Sequence, residues 1–318
     1  MSLAALSTLF ASPLVTVTDC DCHAPRGGAG AERGGERTHF AIVRRGAFTY
    51  HVRGERFIAD PGTAVAYHEG DVYRISHPID GGDRCTIIET DQALADEVLW
   101  RRGVGAVAPP VLAMRLPPLA QLEHALARAA LRRHAGDRLE AEELVVGLLA
   151  SMVTHRTSPV RATTARAALR RRIAQGAQET IVARLDTNLG LADVAASVGC
   201  SPYHLARLFR DETGLSLRQY RLRVRLAQAM QRLADGDENL SAMAIDLGFS
   251  HHSHLTESFR RLVGVSPREV RGRLRDAAVG HRLLGLGYGT PLRAPGVCSK
   301  PRAESREPTA ASPPMAES

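Results

Sequence analysis

LADVAASVGCSPYHLARLFRDETGLS, Leu191 to Ser216, occurs twice in this chain in altered form. The second version, LSAMAIDLGFSHHSHLTESFRRLVGVS, runs from Leu240 to Ser266 and has one extra residue in its turn. Gly199 aligns on Gly248 at an offset of 49, and Gly214 on Gly264 at an offset of 50. A period near fifty residues means one supersecondary unit used twice. In the first copy Leu191, Val194, Ala195 and Val198 recur at helical spacing, and Gly199 closes that helix. Ser201 and Pro202 form an N-cap and first-turn pair, after which Leu205, Leu208 and Phe209 mark the inward stripe of a second helix. Two helices joined by a short glycine turn make a helix-turn-helix, whose second helix fits a major groove about 12 Å wide.

Between the copies Leu217, Tyr220, Val224, Ala227 and Met230 keep a 3.6-residue period. They predict a connecting helix from about Ser216 to Ala234, roughly 28 Å long, close to the ~34 Å between successive major-groove faces. Arg218, Arg221, Arg223 and Arg225 on it are candidates for phosphate contact, with plain solvent exposure as the alternative.

Charge agrees with a polyanionic partner. The 318-residue chain has a formal charge of +7, and residues 161–275 hold nineteen Arg against eleven acidic residues, an excess of eight. The only lysine is Lys300, so basic contacts fall to arginine, whose planar fork suits phosphate and guanine edges. The apolar fraction of 44% is globular, and no run of eighteen apolar residues exists to cross a bilayer. The start, MSLAALSTLFASPLVTVTD, lacks a basic region ahead of its apolar stretch, and the expectation is a cytoplasmic protein with no membrane contact. Five cysteines, Cys20, Cys22, Cys85, Cys200 and Cys298, are odd in number and scattered, which points to reduced thiols.

The double helix-turn-helix, from LADVAASVGCSPYHLARLFRDETGLSLRQYRLRVRLAQA to IDLGFSHHSHLTESFRRLVGVSPREVR, resembles the AraC/XylS family of transcription regulators over about residues 165–275. One departure is Val270, where the family usually has Tyr or Phe, which predicts a looser last helix. The resemblance implies groove-facing positions at Tyr203, Ala206 and Arg207 in the first reader, with His204 and Arg210 on neighbouring faces. In the second reader it implies His252, Ser253 and Glu257, flanked by His251 and Arg260. Glu257 would repel phosphate but accept a hydrogen bond from cytosine N4, unless Arg260 or Arg261 pairs with it. The resemblance also implies RNA polymerase as a partner.

His251, His252 and His254 raise the question of a metal site. Only His251 and His254 have helical ligand spacing, and the nearest carboxylates are Asp246 and Glu257, so DNA contact is the expected role and metal binding is not.

Residues 38–90 alternate and turn as an antiparallel sheet, with turns at Arg53-Gly54-Glu55 and Asp60-Pro61-Gly62. Several short strands suggest a small barrel, and ADPGTAVAYHEGDVYRISHP resembles the cupin-type sensory half of the same regulators. A metal cupin would show a His-X-His pair ahead of a Glu; this chain has a lone His51, so no catalytic residue and no cofactor is assigned. Candidates to line an effector cavity are Tyr50, Tyr67, His68 and Tyr73, with Phe48, Phe57 and Arg74 behind them, although inward aromatics also make ordinary core. Cys20, Cys22 and His23, with Cys85 and His39, offer a second reading as a thiol or soft-metal sensor. A third reading is a cupin-type enzyme fused to a DNA-binding module.

From Pro117 to Val153 the chain turns helical. Leu119, Leu122, Leu126 and Ala129 form one stripe, and Leu144, Val145, Leu148, Leu149 and Met152 another, for homodimer formation or for packing on the same chain. The expected organisation is α+β and multidomain. Residues 14–112 form a cupin-like sensory β-barrel and 113–156 a helical association segment. A linker follows at 157–164, then an all-α double helix-turn-helix at 165–277 and a disordered tail at 278–318. The function expected is an effector-responsive, sequence-specific regulator, an activator by resemblance, that binds double-stranded DNA and a small molecule.

Overall fold

The computed structural model describes residues 4–27, 30, 32–34, 37–52, 55–67, 69–100, 111–132, 137–153 and 164–279. The N-terminal half holds β1 (Ala4–Ala11), β2 (Val15–Cys22), β3 (Arg33–Gly34), β4 (Thr38–Gly46), β5 (Phe48–Val52), β6 (Glu55–Ala59), β7 (Thr63–Tyr67), β8 (Val72–Ser76) and β9 (Asp83–Thr90). Then come α1 (Gln92–Trp100), β10 (Val111–Arg115), α2 (Pro118–Leu131) and α3 (Arg138–Val153). The strands form two sheets, one six-stranded in the order β1-β2-β9-β4-β7-β10 and one four-stranded in the order β3-β8-β5-β6. The expected start of the sheet at residue 14 moves to Ala4, because β1 pairs along β2.

The six-stranded sheet buries both faces, since alternate residues of a strand point to opposite sides. Ala41, Val43, Val65 and Tyr67 on one face meet Phe48, Tyr50, Val52, Phe57 and Tyr73 of the smaller sheet. Val15, Val17, Phe40, Ile42 and Ile88 on the other face lie under α1 to α3, against Leu144, Val145, Leu148 and Met152. The helical stripes pack within the chain.

The C-terminal half is all helical: α4 (Ala165–Ala183), α5 (Leu191–Ser197), α6 (Pro202–Thr213), α7 (Leu217–Ala234), α8 (Leu240–Asp246), α9 (His252–Val263) and α10 (Pro267–Val279). Caps set the boundaries. Thr164 accepts from the Ala167 amide, Ser201 from the His204 amide, and Ser216 forms a reciprocal box with Gln219. Gly214 and Gly264 end α6 and α9 in the left-handed conformation. Gly248 is required on a second count: with φ of +74°, a Cβ there would stand 2.8 Å from the Asp186 carbonyl oxygen. Each reader has its own core, Leu205, Leu208, Phe209, Tyr220 and Val224 for the first and Leu255, Phe259, Leu226, Met230 and Leu274 for the second. Val270 does not loosen α10, because it is 0% exposed inside the second core.

The two halves share these cores. Ala47, between β4 and β5, and Ile58 of β6 join the first reader's core, while Leu122, Ala125 and Leu126 of α2 join the second. Of the expected linker only Thr164 is described, and the expected tail beyond Val279 lies outside the described residues. Among the described residues no helix is long and apolar enough to cross a membrane.

Candidate nucleic-acid interface

Helices α6 and α9 present the same face. At an offset of fifty, Leu205, Phe209 and their counterparts Leu255 and Phe259 are buried, while Tyr203, His204, Arg207 and Arg210 are exposed, as are Ser253, His254, Glu257 and Arg260. Tyr203 is 79% exposed. Ala206 is half-buried at the edge of this face. Arg207, Arg210 and Glu257 have no ion-pair partner among the described residues, so the expected alternative pairing of Glu257 with Arg260 or Arg261 does not form. Thr256, Glu257, Arg260 and Arg261 line a shallow cleft with His252 and Ser253. The α7 helix between the readers has eighteen residues, about 27 Å at 1.5 Å per residue.

The three histidines have separate local duties. His251 occupies the position that Ser201 holds in the first copy, and its Nδ1 accepts from the His254 amide as the N-cap of α9. His254 packs edge-on against Phe249 and meets the Ser250 hydroxyl at 3.1 Å. His252 reaches the Thr256 hydroxyl at 3.3 Å and remains exposed.

The connecting-helix arginines divide. Arg218 is exposed. Arg221 donates to the Leu189 carbonyl oxygen at 3.0 Å, and Arg223 is half-buried. Arg225 is 8% exposed and donates Nε and Nη2 to the Leu185 carbonyl oxygen at 2.9 and 2.7 Å. Burial and neighbouring Arg221 pull its pKa down to about 10. Arg225 therefore ties α7 to the segment after α4 and is no phosphate contact.

In the sensory half, Tyr50, Tyr67 and Tyr73 stack on one another with ring centroids 4.8 to 5.2 Å apart between the sheets. Phe48 and Phe57 share this core. The buried Tyr50 hydroxyl has no hydrogen-bond partner among the described residues, an unsatisfied group costing about 1–3 kcal/mol. Arg74 is exposed, and His68 lies outside the described residues.

The thiol candidates separate. Cys20 is the direct cross-strand partner of Cys85, and the hydrogen bond between them lowers the Cys20 pKa and raises that of Cys85 well above its usual range. His23 is exposed, 3.7 Å from Asp21. His39 pairs with Glu89, four positions along β9 from Cys85, and stacks edge-on against Tyr67; burial depresses its pKa to about 4. Neither histidine joins the thiols.

Two family models match: the AraC-like ligand binding domain over residues 31–149 and a helix-turn-helix domain over residues 194–273. The multiple antibiotic resistance protein MarA of Escherichia coli is 33% identical over 87 residues, 27% of this chain and 68% of that protein. The arabinose operon regulatory protein of the same organism is 31% identical over 98 residues, 30% of this chain and 34% of that protein. A crystal structure of ToxT from Vibrio cholerae aligns over 85% of this chain and 98% of that one, at 10% identity and a TM-score of 0.33.

Proposed function

The chain belongs to the AraC/XylS family of transcription regulators, and from that membership we propose that it is a sequence-specific regulator whose DNA affinity responds to a small effector. The observation that carries the reading is the paired exposed face of α6 and α9, alike in buried pattern and different at Tyr203 against Ser253, Ala206 against Thr256 and Arg207 against Glu257. Tyr203, His204, Ala206, Arg207 and Arg210 meet one major-groove segment; His251, His252, Ser253, Glu257 and Arg260 meet the next. Unlike side chains in the two readers ask for an asymmetric site. The core between the sheets is the effector region, with Tyr50, Tyr67 and Tyr73 as its contacts and the unpaired Tyr50 hydroxyl as a free donor. Because both reader cores include residues of the sensory half, a ligand that shifts the sheets changes how the readers are held, and effector and DNA affinities are coupled reciprocally. A cytoplasmic activator that contacts RNA polymerase, and a homodimer on DNA, complete the reading.

Genome-wide occupancy in the cells of origin, followed by binding of purified protein to the recovered sites, tests this. Discrete sites with an asymmetric motif and a steep salt dependence are expected. Diffuse binding without a motif would overturn it.

A further inference from the structure

A cluster at one end of the space between the sheets has no part in DNA reading. Cys22 closes β2, Asp83 opens β9, and the two are Cα partners across the ladder. His77 follows β8, and the ligand atoms of Cys22, His77 and Asp83 all lie within 4.8 Å of one another. His77 Nε2 and Asp83 Oδ1 stand 2.8 Å apart, and both side chains are more than nine-tenths buried. The other imidazole nitrogen, Nδ1, is buried without a hydrogen-bond partner among the described residues. Gly82 makes the approach possible: its φ is +70°, and a Cβ there would fall 1.9 Å from the Cys22 carbonyl oxygen. Any other residue would push the loop, and Asp83 with it, away from Cys22.

We propose that Cys22, His77 and Asp83 bind a zinc ion with one coordination position left open. One thiolate, one imidazole and one carboxylate make a borderline donor set, which suits zinc better than copper(I), calcium or magnesium. A tetrahedral shell holds its donors roughly 3.3 to 3.6 Å apart, so His77 and Asp83 part by about 0.5 Å while the widest separation closes by about 1 Å. Burial and Asp83 push the Cys22 thiol up while the site is metal-free; a bound dication reverses this, and the thiol proton passes to water. The loop from His77 to Asp83 also reaches the first reader. Its Ile79 packs against the core containing Leu205 and Phe209; the Gly27 amide donates to the His77 carbonyl oxygen and the Arg26 amide to the Asp80 carboxylate. Zinc therefore orders a loop that touches the DNA-reading half.

Metal binding is read directly, so the test does not depend on DNA. Purified full-length protein is titrated with cobalt(II), a spectroscopic stand-in for zinc. One cobalt per chain with a thiolate-to-cobalt charge-transfer band, displaced by zinc, is expected. Cys22→Ser should abolish the band and weaken binding roughly tenfold or more, as should His77→Gln for binding, while Cys200→Ser leaves both unchanged. Zinc should also shield Cys22 of the wild-type protein from alkylation without shielding Cys200, a measurement that needs no folded variant. No band in the wild type, a band surviving in Cys22→Ser, or Cys22 alkylated equally with and without zinc overturns the proposal.

Discussion

Tyr220 of α7 and Asp60, in the turn between β6 and β7, are 160 positions apart and joined by a buried hydrogen bond from phenol to carboxylate. Asp60 also accepts from Arg115 at 2.9 Å and from Thr63 at 3.0 Å, and the Arg115 guanidinium lies over the Tyr220 ring. Burial and the Asp60 charge hold the Tyr220 phenol protonated, with its pKa well above the usual range. The sensory half and the helix that spaces the two readers are thus fixed by one polar knot. Tyr220→Phe keeps the ring and removes one bond to a buried carboxylate, so it should cost about 1–3 kcal/mol in urea unfolding. It should also speed proteolysis between the halves. A stability equal to wild type would show that Arg115 and Thr63 together satisfy Asp60.

A second tie runs through Arg128 of α2, whose guanidinium donates to Asp19 of β2 at 2.9 Å and to Asp235, just after α7, at 3.1 Å. Burial raises the Asp19 pKa, but Arg44 and Arg128 outweigh it and hold the carboxyl below its ordinary value. Arg128→Ala leaves a buried carboxylate short of a partner and should cost about 3–5 kcal/mol at pH 7. A carboxyl with a lowered folded pKa contributes stability above its unfolded pKa near 3.9 and loses it as pH falls through the folded value. The gap between variant and wild type should therefore shrink below about pH 4. Denaturant titrations at pH 7 and pH 3 check it; an equal gap at both would rule out the ionic origin.

His124 of α2 and His39 of β4 predict the course of stability at milder acidity. Burial lowers the first to about 3, helped by Arg128 and Arg44, and the second to about 4. Both stay neutral in the fold while the unfolded chain takes up protons below about 6.5. Their contribution is present above pH 6.5 and lost as pH falls, until each folded value is passed. The slope approaches about 1.4 kcal/mol per pH unit for each group. His124→Leu should flatten the stability profile between pH 6.5 and 4 and remove an imidazole Nε2 that has no partner among the described residues. An unchanged slope would mean that His124 is protonated in the fold.

The repeat made the two reading helices legible, because α6 and α9 each have a cap, a glycine stop and an apolar stripe within about a dozen residues. His251 was legible as a start of α9, yet its capping role depends on imidazole Nδ1 replacing a hydroxyl, which spacing does not reveal. Arg225 could not be told from Arg218, since burial on α7 depends on the segment after α4. In the other half, Cys20 and Cys85 meet only through a register between distant strands. His77 and Asp83 reach Cys22 through a loop whose course Gly82 decides. No periodicity carries either contact. The α2 stripe showed an apolar face and not its partner, which proved to be the same chain on both sides.

His251→Ala should cost about 1 kcal/mol, an ordinary N-cap loss, and His251→Asp or His251→Ser should restore it. Thermal melting of the three variants decides this. Failure of both restoring variants would point to a role for the imidazole beyond the cap.

Glu257 and Arg207 occupy equivalent positions of the two readers and carry opposite charge, so their replacements should fail in opposite ways. Arg207→Ala removes a cation free of ion pairs and should cost about 1–3 kcal/mol on the cognate site, mostly at one base pair. Equal loss on every duplex would make Arg207 a phosphate contact. Glu257→Ala removes an unpaired negative charge beside Arg260 and Arg261, so affinity for unrelated DNA should rise as repulsion of phosphate is relieved. Affinity for the cognate duplex should not rise with it, because a hydrogen bond from cytosine N4 is lost. The ratio of cognate to unrelated binding, measured at one salt concentration across duplexes changed one base pair at a time, separates these effects. A ratio that falls at a single position places Glu257 on a base; a uniform gain on all duplexes reduces it to an electrostatic brake.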